Sequence, residues 1–419
     1  MEYINSREFA INSDKNDSLN KFRDYFYFPS KDDKPIIYFT GNSLGLQPKK
    51  AREFLTEELD NWAENAVEGH FKGKRPWVDY HKHFRKSLGR LVGANETEVV
   101  AMNSLTVNLH LLLVSFYRPT PSRFKIICEA GAFPSDRYAL ESQIRFHGLD
   151  PEQTLVEVES LKGESVIQPD QILSEINQAG DALSLVLFSG VQYYSGQLFD
   201  IKGITEDAHN VGALAGFDLA HAMGNIPMSL HNWNVDFAMW CSYKYLNSGP
   251  GAVGGAFVHQ KHHDQNLPQF AGWWGTDESE RFEMKKDFDP IESVDRWQLS
   301  NAPVLNMAAH LASLDIFDQA GINGLRKKSF QLTGFLEFLL SDLHDLINII
   351  TPENPDERGC QLSLLIRTNG REIFNQLNEQ NVMVDWREPN VVRAAPVPLY
   401  NTFGEVYDFV QILKSAIEK

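Results

Sequence analysis

From residue 124 to residue 238 the chain repeats one pattern: a short apolar run, a stretch with apolar residues at helical spacing, then another short run. The runs fall at 124–128, 155–158, 185–188, 213–217 and 235–238, and helical segments at 135–147, 169–178 and 201–210 lie between several of them. Apolar runs this short, without polar alternation, suit strands buried on both faces, and intervening helices are the crossovers that parallel strands require. The pattern predicts an α/β fold: a mainly parallel sheet with helices on both faces. Ahead of it lie a polar stretch to about residue 35, a strand candidate at 36–39 and a helix over 49–64. Beyond it the proportions change, with helices over 304–319 and 324–344, strand candidates at 347–350, 361–367, 382–386 and 391–394, and a closing helix over 403–417. Fewer helices per strand predict a smaller α+β domain. The expected organisation is an N-terminal segment, 1–60, contributing to the small domain, a large α/β domain over 61–302, and the small domain proper over 303–419.

Charge narrows the partners. Fifty-six acidic residues against 39 Lys and Arg leave a net charge of −17, which opposes nucleic acid and anionic membranes. A locally positive pocket could still take an anionic ligand. Three cysteines cannot build a disulfide framework, and Cys128 and Cys241 lie in apolar runs, as buried thiols of a reducing compartment do. The first residues have neither the basic nor the apolar region of a secretory signal, and the apolar stretch at 109–114 is too short to span a bilayer. These features predict a cytoplasmic protein.

Four polar elements follow strand candidates or open helices. Residues 103–108 precede an apolar helical run, where Ser and Asn suit ordinary capping or, with free N–H groups, a phosphate site. Phe133, Pro134, Ser135 and Asp136 open the next helix, and Ser189-Gly190 and Asp218-Leu219-Ala220-His221 each end a run. At the carboxyl ends of parallel strands, all four would converge on one crevice. One apolar run after Asp218 comes Tyr243-Lys244. A strand-end carboxylate followed by a lysine is what a pyridoxal-phosphate enzyme needs: the lysine holds the cofactor covalently, and the carboxylate keeps the pyridine nitrogen protonated.

Other motifs read differently. Gly249-Pro250-Gly251-Ala252-Val253-Gly254 matches G-x-G-x-x-G, but a strand-like run follows instead of a helix, so the glycines are expected to form a tight passage beside Lys244. His259, His262 and His263, flanked by Lys261, Asp264 and Gln265, read as a solvated loop, and His81 and His83 do not share a helix face. No metal site is expected. Trp273-Trp274, between glycines, suits an aromatic ligand or an interface.

The stretches FTGNSLGLQP (39–48), 102–112, 132–136, FSGVQYYSGQ (188–197), GFDLAHA (216–222), WCSYKYLN (240–247), GWWG (272–275), 300–303 and VRAAPVPLY (392–400) occur in the order found in one family. On these residues the chain resembles the kynureninases, pyridoxal-phosphate hydrolases of the fold-type-I aminotransferase superfamily. The resemblance implies pyridoxal 5'-phosphate covalently on Lys244, with Asp218 at the pyridine nitrogen and Tyr243 as a proton relay. It implies that Phe133 stacks on the ring, with Pro134, Ser135 and Asp136 in the same wall, and that Leu105, Thr106, Ser189 and Tyr243 hold the phosphate. His221 would line the cofactor, and Trp273 and Asn301 would reach it across a homodimer interface. Arg393 would clamp the substrate's α-carboxylate, and Ser43, His70 and Asn301 would face its aryl ketone. The implied reaction is hydrolysis of the Cβ–Cγ bond of L-kynurenine or 3-hydroxy-L-kynurenine to an anthranilate and L-alanine, in tryptophan catabolism or NAD biosynthesis. His70 with Asn301 resembles the animal-type pair and tilts the expectation toward the hydroxylated substrate. Two other readings remain: a cysteine desulfurase, with Cys360 as its late cysteine, and a binding protein that keeps the fold without the chemistry.

Overall fold

The structure, a computed structural model, describes residues 2–418. Seven strands form the large sheet: β1 (Val99–Ala101), β2 (Lys125–Glu129), β3 (Leu155–Val158), β4 (Leu183–Ser189), β5 (Leu214–Asp218), β6 (Phe237–Trp240) and β7 (Gly255–Val258). Their spatial order is β1-β7-β6-β5-β4-β2-β3. Pairing is parallel from β3 across to β6, and β7 runs antiparallel to both of its neighbours. The reversal has a local cause. The segment joining β6 to β7 holds the lysine turn and the glycine run, with no crossover helix to bring the chain back parallel. Residues of β4 and β5 such as Leu185, Val186, Leu187, Ala215 and Phe217 are buried, as runs covered on both faces should be.

The small sheet is antiparallel, in the order β8 (Ile347–Ile349), β9 (Leu362–Ile366), β11 (Val391–Ala394), β10 (Asp385–Arg387). The strand expected at 382–386 is divided. Val382–Met383 pairs in parallel with Ile37–Tyr38, and only Asp385–Arg387 joins the small sheet. Ala10 and Phe39 from the N-terminal region share a core with Leu332, Phe335, Val392 and Phe409. The helix Val304–Ala320 instead sends Met307, Leu314 and Phe317 into the core of the large sheet. Among the elements with no expected counterpart are β1, whose three residues are too few to display a period, and the helix Gly370–Glu379, whereas the helix Lys82–Val92 agrees with the helix read at His81 and His83. No helix among the described residues is long and apolar enough to cross a membrane.

Candidate active site

The carboxyl ends of β2, β4 and β5 meet the Lys244 turn in one crevice, lined by Ser43, Leu105, Thr106, Glu129, Phe133, Ser135, Asp136, Ser189, Asp218, His221, Tyr243, Lys244 and Arg393, among others. At one end stands the helix Leu105–Phe116. Ser104 precedes it without a side-chain cap, so its first N–H groups are free to meet an anion at the positive end of the dipole. Thr106 Oγ1 lies 2.8 Å from Ser135 Oγ on the next helix. Gly254 closes this end: a Cβ there would lie 3.2 Å from Leu105 N and 2.8 Å from Trp240 O. The glycine run is therefore a passage against the helix terminus, and a strand follows it.

Asp218 ends β5, buried, its Oδ1 accepting from Ala220 N at 2.7 Å. Lys244 Nζ lies 2.9 Å from His221 Nε2. Burial, reinforced by Lys244, holds His221 well below the usual imidazole range, so the neutral ring accepts the lysine's hydrogen bond. A turn from the N-terminal region covers the lysine: Gly45 N donates to Tyr243 O at 2.8 Å, and a Cβ on Gly45 would stand 2.4 Å from Lys244 O. Phe133 has 44% of its surface exposed, its ring centroid 5.8 Å from Lys244 Nζ and edge-on to Tyr193 at 5.2 Å. Pro134 occupies the first turn of the helix Pro134–Phe146, and Ser135 and Asp136 after it line the crevice. Burial, together with the Asp218 carboxylate, pushes the Asp136 carboxyl well above its ordinary range.

Asp136 Oδ1, Ser189 Oγ and His221 Nδ1 are buried without partners. Orphaned polar atoms around a crevice call for a ligand. With the uncapped helix terminus at one end and Phe133 as a wall, the donors and acceptors present fit a flat, phosphorylated pyridine.

Opposite lies a cluster that the sequence reading described only in part. Arg393, 1% exposed, donates from Nη1 to Tyr193 O at 2.6 Å and pairs with Asp385 through Nη2. Ser43 Oγ donates to the same carboxylate at 2.9 Å, and Arg387 lies 3.3 Å from it. Glu129, Tyr193, Asp385 and Arg387 were missed. Glu129 was within reach of the sequence, because it follows an apolar run as Ser189 and Asp218 do. Asp385 gave no such signal, since its strand is short and amphipathic.

Three expected site residues lie elsewhere within one chain. His70 and Asn301 share a second cavity with Glu58, Trp62, Trp77, Ala302, Val304 and Leu305, and Trp273 packs edge-on against Phe282 at 5.7 Å. The histidines at 259–263 require a correction, because all three are buried rather than solvated. His262 Nε2 binds Asp236 at 2.9 Å, His263 Nε2 the carbonyl of Val258 at 3.0 Å, and His259 packs on His231 beside Glu98. Sequence proximity hid these carboxylates, which arrive from distant segments. Glu98, His231 and His259 bring possible metal-ligand atoms together. Glu98 is already bonded to Asn95 N, Gln260 N and His231, and His259 Nδ1 to Lys261 N. Cys360 is also buried, and burial pushes its thiol up to about 12, the reverse of an activated desulfurase nucleophile.

Residues 325–413 match the family described as Kynureninase C-terminal domain. A kynureninase of Flavobacterium psychrophilum is 53% identical over 100% of this chain and 99% of its own length. Another, from Myxococcus xanthus, is 49% identical over 98% of this chain and 97% of its own. The chain belongs to the kynureninase family. Among solved structures, the cysteine desulfurase CsdA of Escherichia coli matches with a TM-score of 0.77 at 16% identity, covering 96% of this chain and 98% of that one. The apo cysteine desulfurase of Thermococcus onnurineus NA1 matches with a TM-score of 0.75 at 18% identity, covering 91% and 95%. Likeness at such low identity concerns the fold, and it places this kynureninase-family chain in the fold-type-I architecture.

Proposed function

We propose that the chain is a pyridoxal-phosphate-dependent hydrolase that cleaves the Cβ–Cγ bond of L-kynurenine, and of its 3-hydroxy form, to an anthranilate and L-alanine in tryptophan catabolism. The observation that carries this reading is a single crevice holding Lys244, Asp218 and an uncapped helix terminus, in a chain half identical to kynureninases along its whole length. When bound, pyridoxal phosphate supplies the electron sink that acidifies Cα and lets Cβ–Cγ break once water has added to the γ-ketone. Lys244 would hold the cofactor covalently and, once the substrate's amine has replaced it, would be free to carry the Cα proton on Nζ. His221, neutral, accepts a hydrogen bond from Nζ and orients it. Asp218 would pair with the ring nitrogen, Phe133 would lie against the ring, and Leu105, Thr106, Ser189 and Tyr243 would hold the phosphate, with Ser135 and Asp136 beside them. The Tyr243 phenol, kept protonated by burial, relays a proton next to Lys244.

Arg393 binds the substrate carboxylate. Its two Nη atoms are anchored and its Nε is unpaired. The working unit is a cytoplasmic homodimer, with Trp273, His70 and Asn301 facing the partner's crevice. An apolar patch supports this reading: Trp62, Phe71, Trp273 and Phe282 are all more than 40% exposed, with Phe282 5.9 Å from Phe71 and 5.7 Å from Trp273. Of the two substrates we favour 3-hydroxykynurenine, whose extra hydroxyl His70 or Asn301 would pair. The test is release of anthranilate and alanine from each substrate by purified protein loaded with pyridoxal phosphate. Sulfide release from cysteine without anthranilate release from kynurenine would overturn the function. A kcat/KM favouring plain kynurenine tenfold, about 1.4 kcal/mol, would overturn only the preference.

A further inference from the structure

At the crevice floor the ladder between β2 and β4 stops early, at Ile127↔Val186. β2 goes on pairing with β3 as far as Glu129↔Val158, and β4 with β5 as far as Ser189↔Asp218. Where β2 and β4 part, the N–H of Ser189 is taken by the side chain of Glu129, whose two oxygens lie 3.1 and 3.2 Å away. Glu129 is 2% exposed. Asp218 on β5 and Asp136 on the helix Pro134–Phe146 stand near it, with Lys244 and the neutral His221 across the crevice. On the other side Glu157 of β3 is matched by Arg137 at 3.4 Å. Arg387 and Arg393 also line the crevice but are paired with Asp385, which leaves Lys244 as the ammonium beside the three buried carboxylates of Glu129, Asp136 and Asp218, and burial then favours a proton on some of them. Burial pushes Glu129 up to about 7 against the hydrogen bonds of Ser189, which favour its charged form, and the Asp218 charge adds a smaller push in the same direction as burial.

We propose that Glu129 is a positioning residue for the cofactor end of the site: it holds a proton, which leaves the negative charge to Asp218, and it staples Ser189 where the sheet opens. The positioning half rests on the cofactor reading above, and the proton-holding half does not.

E129Q keeps shape and neutrality, and E129L removes the staple. Urea unfolding of the full chain, loaded with pyridoxal phosphate and freed of it, is followed from pH 5 to pH 8. A raised carboxyl stabilises the fold below its unfolded value and loses that contribution as pH rises through the folded one. The wild-type midpoint should therefore fall relative to that of E129Q across this window. Parallel curves would overturn the proton, because a staple alone shifts them by a constant. Pyridoxal-phosphate retention, read from the visible band, should be at least tenfold weaker in E129L than in wild type at pH 6. Equal retention would overturn the positioning. Wild-type protein that binds no pyridoxal phosphate would sink the cofactor reading and the positioning with it, while the cofactor-free curves still decide the proton.

Discussion

Lys244 contributes little to the core but lies at the centre of the crevice, 2.9 Å from a histidine that burial keeps neutral. Lys244→Ala should therefore, in its cofactor-free form, melt at the wild-type temperature, and it should lose steady-state turnover, read as anthranilate release by fluorescence. Continued turnover would remove the lysine from the chemistry. Arg393 is anchored at both Nη atoms, by a carbonyl and a carboxylate. An ammonium cannot keep both anchors and still present a planar edge. Arg393→Lys should raise KM for the amino acid by about tenfold or more, from the loss of roughly 1–3 kcal/mol of charged hydrogen bonding, with a smaller effect on kcat. An unchanged KM would mean that the carboxylate is held elsewhere.

Among elements, the junction of the glycine run with the helix Leu105–Phe116 is a close backbone approach at the phosphate end of the site. Gly254→Ala would set a Cβ 2.8 Å from Trp240 O, so backbone must shift, at about 1–3 kcal/mol of stability. Because the displaced atoms include Leu105 N, pyridoxal-phosphate affinity should fall as well, and titration of the cofactor-free protein measures it. At the opposite end of the strands, Asp236 accepts from His209, His262, Lys261 and Ala215 N. Burial alone would raise its carboxyl, but the hydrogen bonds of His209 and His262 and the Lys261 charge overcome burial and hold it well below the usual range. A depressed carboxyl stabilises the fold above its unfolded value, and that contribution disappears as pH falls below about 4. Asp236→Ala should cost about 3–5 kcal/mol at pH 7 and flatten the acid limb of the unfolding curve. Denaturant midpoints at pH 7 and pH 3 check both statements.

For the whole molecule, the exposed apolar patch around Phe71, Trp273 and Phe282 would carry the proposed dimer. Phe71→Glu should yield a monomer in sedimentation at micromolar concentration with little turnover, because a buried charge would face the partner's apolar side. A fully active monomer would rule out shared sites. Subunits carrying Lys244→Ala, mixed with subunits carrying Asn301→Asp, should recover part of the lost activity if Asn301 serves the partner's crevice.

Sequence by itself determined what depends on short stretches. Strand runs such as 185–188 and 213–217 are legible because two-sided burial leaves an uninterrupted apolar run, Ser189 and Asp218 because they immediately follow such runs, and Phe133 to Asp136 because they open the next helix. The tertiary structure decided whatever joins distant segments. It placed Tyr193 on Arg393, Gly45 over Lys244, and Glu98 and Asp236 beneath histidines that read locally as a polar loop. It also reversed β7 and parted β2 from β4, which turned Glu129 from one more strand-end carboxylate into the partner of an orphaned N–H. Periodicity reports which face of an element is buried, whereas the identity of the group it is buried against is set by contacts tens to hundreds of residues apart in the chain.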